Sequence, residues 1–256
     1  MGTSKSYITP KTPEYTSTKR AFTNSIKEYK KNGTLSSVGA GRLLGNISNN
    51  FINENKKGMS FIPSFISLFS LINDIKEKSN NEWDKIKIGY PEHIRNLYSA
   101  IILNDSEAKD KLKESQIDFS EFATPVNFFT AIINENVNID GINKGILLNS
   151  LNVTLEVFDI EKIDDFKDID MEPFFKIYLT QIILESIVVR YYEEGLSKNM
   201  SHSEMEKYIK FLEEIIENSI NNYSLDELQT NENMEKFLDD KISEIFNDYV
   251  KIGISK

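Results

Sequence analysis

The most reactive group this sequence offers is an amine at its start. Gly2 follows Met1, and a residue this small lets methionine aminopeptidase remove Met1 and leave a free glycine amine. An α-amino group has a reference pKa near ~8, so roughly a tenth of it is neutral and nucleophilic at pH 7, whereas a lysine amine near ~10.4 is almost wholly protonated. Thr3 and Ser4 follow with hydroxyls that can donate or accept. Elsewhere the usual reactive types are sparse. There is no cysteine, and the 2 histidines, His93 and His202, stand in separate polar segments without metal-ligand spacing. The acidic run 161–170 lacks the alternating oxygen positions and glycine turn of a calcium loop and reads as a solvated linker. Glu213-Glu214 and Asp239-Asp240 lie opposite apolar stripes, as hydrated faces do. Trp83, Tyr191 and Tyr192 are of the kind that anchor interfaces, though as isolated residues they read first as packing. The expectation is a protein that is not an enzyme and needs no metal or cofactor.

Gly39, Gly41 and Gly45, with Arg42 among them, invite comparison with a phosphate-binding loop. The spacing is not that of the loop that ends in Gly-Lys-Ser/Thr, and no strand precedes it, so the context of a nucleotide site is missing. Gly41 and Gly45 are four residues apart, on one face if the segment is helical, where the missing Cβ permits close approach of another element. Gly39, Gly41, Arg42 and Gly45 are therefore candidates for close packing or for contact with a partner.

The elements that must position these residues read as helices. Residues 1–18 are rich in Thr, Ser, Lys and Pro without periodicity and are expected to be disordered when free. A short helix over 19–31 should stop at Asn32-Gly33. The apolar run 61–72 is too short to span a membrane and predicts a buried helix to about residue 78, with Pro63 in its first turn. Further helices are expected over 91–103, 105–114, 126–134, 139–151 and 172–194. Residues 152–160 carry enough β-branching to be either helix or strand. In 203–222 apolar residues recur at three- and four-residue steps behind a Ser203/Glu206 capping box, and 231–251 has a second such stripe. The prediction is an all-α, irregular helical bundle preceded by a flexible basic N-terminal tail. It divides into a tail with a short helix (1–35), a glycine- and arginine-containing connector (36–58) and a helical body (59–256).

Charge is unevenly divided. The first 57 residues hold 10 Lys and Arg against 3 Asp and Glu, so with a total of −10 the remaining 199 residues carry −17. A basic arm can meet an acidic partner or nucleic acid. The absence of interleaved aromatics and of any nucleic-acid-binding signature argues against the latter. With no cysteine, no signal-type apolar run and no membrane-length segment, the expected location is the cytoplasm.

Met1-Gly2-Thr3-Ser4, the Ser-, Lys- and Pro-rich tail, the segment Gly39-Ala40-Gly41-Arg42-Leu43-Leu44-Gly45 and a helical body closing on an amphipathic helix together resemble the QatB family of Qat anti-phage defence systems. That resemblance implies a cytoplasmic, non-catalytic member of a four-protein set whose other members are an ATPase, a QueC-like enzyme and a TatD-like nuclease. It further implies that the QueC-like partner attaches a deazaguanine to the Gly2 amine, with Thr3 and Ser4 as recognition residues. The alternative is a helical adaptor or scaffold without covalent modification.

Overall fold

In a computed structural model of the chain, the structure describes residues 13–56, 62–135, 141–191, 196–224 and 234–254. These form an all-α, irregular helical bundle, and among the described residues there is no strand. In chain order the helices are α1 (Pro13–Asn32), α2 (Ser37–Lys56), α3 (Ile62–Glu77), α4 (Asn81–Ile86), α5 (Glu92–Ile101) and α6 (Ser106–Glu114). There follow α7 (Pro125–Glu135), α8 (Gly141–Val157), α9 (Met171–Tyr191), the short α10 (Ser197–Asn199), α11 (His202–Asn221) and α12 (Met234–Ile254). The chain divides into two compact units, one drawn from Met1–Ser60, Ile183–Ser224 and Asp240–Lys256, the other from Phe61–Ile182 and Leu225–Asp239.

The N-terminal third departs most from the expected layout. Helix begins at Pro13, six residues before the predicted start at 19, because Tyr15 and Thr18 are buried and Pro13 is pre-set for a first helical turn. The stretch expected to be a connector is α2, a 20-residue helix. Gly33 does end α1, at φ +70° with its N–H donated to the Tyr29 carbonyl at 2.7 Å.

The second unit is held by aromatic packing. Phe65 meets Tyr178 edge-on at 5.0 Å and Phe69 meets Phe175 at 5.1 Å, fixing α3 against the first half of α9. From Phe174 the contacts run through Phe166, Phe129, Phe128 and Tyr98 to Trp83, which stacks on Tyr98 with centroids 4.1 Å apart. Trp83 is thus a packing residue, on the helix α4 that sequence periodicity does not reveal. Phe166, fully buried, comes from the acidic run expected to be a solvated linker, which forms a 3-10 turn over Ile163–Asp168. Within that run Asp165 accepts the N–H groups of Glu161 and Lys162 at 3.0 and 2.7 Å. The buried Asp74 accepts from the Ser79 hydroxyl at 2.7 Å and the Trp83 N–H at 3.2 Å, so the carboxylate that closes α3 also starts α4. Residues 152–157 are helical: Leu147, Ser150, Leu151, Thr154 and Leu155 are all buried, a three- and four-residue rhythm in which packing overrides β-branching.

The α11 capping box sits two residues earlier than the sequence pattern suggested. Ser201 rather than Ser203 is the N-cap, and Glu204 rather than Glu206 accepts the Ser201 N–H, at 2.8 Å. Both Ser-x-x-Glu pairs fit the pattern, and the reciprocal bonds form at Ser201 and Glu204, where the Ser201 hydroxyl accepts the Glu204 N–H at 3.4 Å. Ser201→Ala should therefore cost about 1 kcal/mol in urea unfolding while the exposed Ser203→Ala stays within about 0.5 kcal/mol. Equal midpoint shifts would show that the box is wrongly assigned.

Candidate functional site

The first unit fixes the helical hairpin that follows the N-terminal segment. On one side of α1 lie Tyr15, Thr18, Phe22, Ser25 and Ile26, all buried, with Tyr29 beside them. Tyr208 of α11 receives this face: its ring is 6.0 Å from Phe22 and 5.1 Å from Tyr29, and its hydroxyl lies 2.5 Å from the Ser25 hydroxyl. Ser25 donates its single hydrogen to the Phe22 carbonyl at 2.7 Å, so the Tyr208 hydroxyl is the donor to Ser25. Burial pushes the Tyr208 phenol well above its ordinary range, which keeps that donor protonated. At the far end Lys30 donates to the Asn199 carbonyl at 2.7 Å and lies 3.6 Å from Glu204.

Two polar clusters join α1 to α2. Thr18 donates to the Asn46 carbonyl at 3.2 Å and accepts from Asn50 at 2.8 Å, while Ser17 donates to the Asn46 side-chain oxygen at 2.6 Å. At the turn, Glu28 accepts the Ser36 N–H at 2.7 Å and Ser36 caps α2 by accepting the Gly39 N–H at 3.1 Å. The Ser36 N–H and hydroxyl hold the Glu28 carboxyl below the usual carboxylate range. A Cβ at residue 39 would collide with the Glu28 carboxylate and lie 3.2 Å from the Ser36 hydroxyl, which gives Gly39 a structural reason.

The candidate residues therefore separate. Gly2, Thr3 and Ser4 lie outside the described residues. Gly41 and Gly45 are buried on the face of α2 that also carries the buried Ser48, the close-packing role their spacing allows. Gly39 is half-buried at the turn, and Arg42 points outward and is exposed. Of the four, Arg42 is the one fully presented to a partner.

Sequence reasoning missed a cleft in the second unit. About 490 Å³ in volume, within the range of small-molecule sites, it has an apolar lining that includes Ile94, Leu97, Ile117 and Phe122. On its border the His93 imidazole lies 3.9 Å from Glu135. His93 is exposed and so is His202, which lies 3.1 Å from Glu206. The lining comes from three separate stretches of chain, and no spacing in the sequence foretells their meeting. Among the described residues, no group of three His, Cys, Asp or Glu could hold a metal ion, and no helix is long and apolar enough to cross a membrane.

No protein-family model, curated protein or solved structure matches the chain.

The hairpin turn gives a pH-dependent prediction. Because folding lowers the Glu28 pKa, its contribution is complete above the unfolded value of 4.5 and is lost as pH falls through the lower folded value. Gly39→Ala should displace the carboxylate, return its titration toward 4.5 and remove this acid-side loosening of the turn, as carboxyl NMR titration would show. An unchanged Glu28 titration in Gly39→Ala would refute the contact.

Proposed function

We propose that this chain is a non-catalytic substrate and binding partner within a Qat-type anti-phage defence system. In this reading a QueC-like enzyme binds it and acylates the Gly2 amine with a deazaguanine after Met1 removal. The observation that carries the reading is the sequence Met1-Gly2-Thr3-Ser4 at the head of a Ser-, Lys- and Pro-rich segment, taken with Met1 as the initiator. The chemistry requires an ATP-activated deazaguanine carboxylate as an acyl adenylate. The neutral glycine amine attacks the acyl carbon, AMP leaves, the amine gives up a proton and an amide remains. Such a reaction at neutral pH suits an α-amine better than an amine with the ordinary basicity of a lysine side chain.

The described residues suit a carrier for such a segment. α1 is buried along one face against α11 and is cross-linked to α2, so the segment before Pro13 is joined to a fixed support. Thr3 and Ser4 would engage the enzyme through hydroxyls and backbone in an extended recognition mode.

A helical adaptor or scaffold without covalent modification is the second reading, favoured specifically by the exposed cations of the hairpin. Intact-mass and N-terminal peptide mass spectrometry separate the two. Co-expression with the genomic neighbours should yield a chain lacking Met1 and carrying a deazaguanine-sized increment on Gly2. Gly2→Pro should lack the increment and lose phage protection. An unmodified Gly2 beside catalytically active neighbours would favour the adaptor.

A further inference from the structure

We propose that the outward face of α1 is a docking stripe for an acidic protein surface. We further assign that surface to the enzyme that acylates Gly2, which rests on the reading above. At about 100° per residue, Arg20, Asn24, Lys27 and Lys31 fall within roughly 60° of one another, directly opposite the face that carries Phe22, Ser25 and Tyr29. All four stripe residues are exposed. Lys30, off the stripe, is engaged by Glu204 and the Asn199 carbonyl. Arg20, Lys27 and Lys31 have no acidic partner among the described residues, and neither does Arg42, exposed on α2. Glu28, the one carboxylate of the hairpin whose side chain is described, turns to Ser36. In a chain with 40 acidic and 30 basic residues, the helix next to the N-terminal segment thus carries a cationic ridge that no carboxylate among the described residues neutralises.

The occupant is a protein rather than nucleic acid. Tyr15, Phe22 and Tyr29 belong to the packed side of α1, so the ridge offers no platform for stacking bases. The net charge of −10 repels a polyanion at long range. A local acidic patch on a partner needs only the ridge itself, about 16 Å from residue 20 to residue 31. The eleven steps from Gly2 to Pro13 reach at most roughly 40 Å, so a partner seated on the ridge has the amine within range. Docking then raises the effective concentration of Gly2 at the enzyme without touching the chemistry.

The test compares rates of Gly2 acylation for the full chain, for R20E/K27E/K31E, for R20Q/K27Q/K31Q and for a synthetic peptide of residues 2–12. Charge reversal should raise KM by roughly tenfold or more with kcat unchanged, the Gln variant should fall between, and the peptide, which lacks the stripe, should resemble the Gln variant. The wild-type KM should rise with salt, whereas the reversed chain's, governed by repulsion from the same acidic surface, should fall. Thermal melts of both variants should match wild type, and if reversal unfolds the chain the Gln variant carries the comparison. Equal KM values with Gly2 acylated in every chain would overturn the stripe and leave the acceptor reading intact. No acylation of the wild type would overturn both. A 20-base-pair DNA duplex that binds the wild type, fails to bind the reversed chain and competes with the enzyme would assign the ridge to nucleic acid and overturn the protein partner.

Discussion

Everything distinctive about the N-terminal region depends on how Tyr208 receives α1. One phenol supplies ring contacts to Phe22 and Tyr29 and a hydrogen bond to Ser25, and it does so where water is excluded. A buried hydroxyl without a partner is costly, so the Ser25 contact fixes both rotation and depth of α1 in a way apolar packing alone would not. Rotation is the important variable. With Phe22 and Ser25 inward, Arg20, Lys27 and Lys31 are compelled outward, and the turn at Gly33 then delivers Ser36 to Glu28. The orientation of the cations is a consequence of where the aromatics go.

Much of the helical content could be read from the sequence because apolar periodicity and caps act over one or two turns. The buried stripe of α11 and the stop at Gly33 are of this kind. What escaped was set by contacts distant in the chain. Residues 13–18 look like tail until Thr18 finds Asn46 and Asn50 and Tyr15 reaches the Arg190 carbonyl at 3.4 Å. Phe166 is hidden among acidic neighbours that suggest solvent, yet its ring meets Phe129 and Phe174. The two candidate capping boxes are equivalent as sequence patterns, and only the bonds formed in the folded chain, at Ser201 and Glu204, tell them apart.

The candidate site divides along the same line. Spacing alone put Gly41 and Gly45 on a common face, while it took the folded hairpin to show that Gly39 makes room for the Glu28 carboxylate and that Arg42 faces solvent. The cleft bordered by His93 and Glu135 had no local signature because its walls are assembled from α5, α7 and the chain before α7.

The single tryptophan has an optical consequence. Trp83 is 3% exposed, stacked on Tyr98, and belongs to the second unit. Indole emission excited near the red edge is therefore a private signal of that unit, whereas helical ellipticity sums over both. If denaturant loosens the two units at different concentrations, the emission and ellipticity curves part, and their separation measures how far the chain folds as one cooperative body.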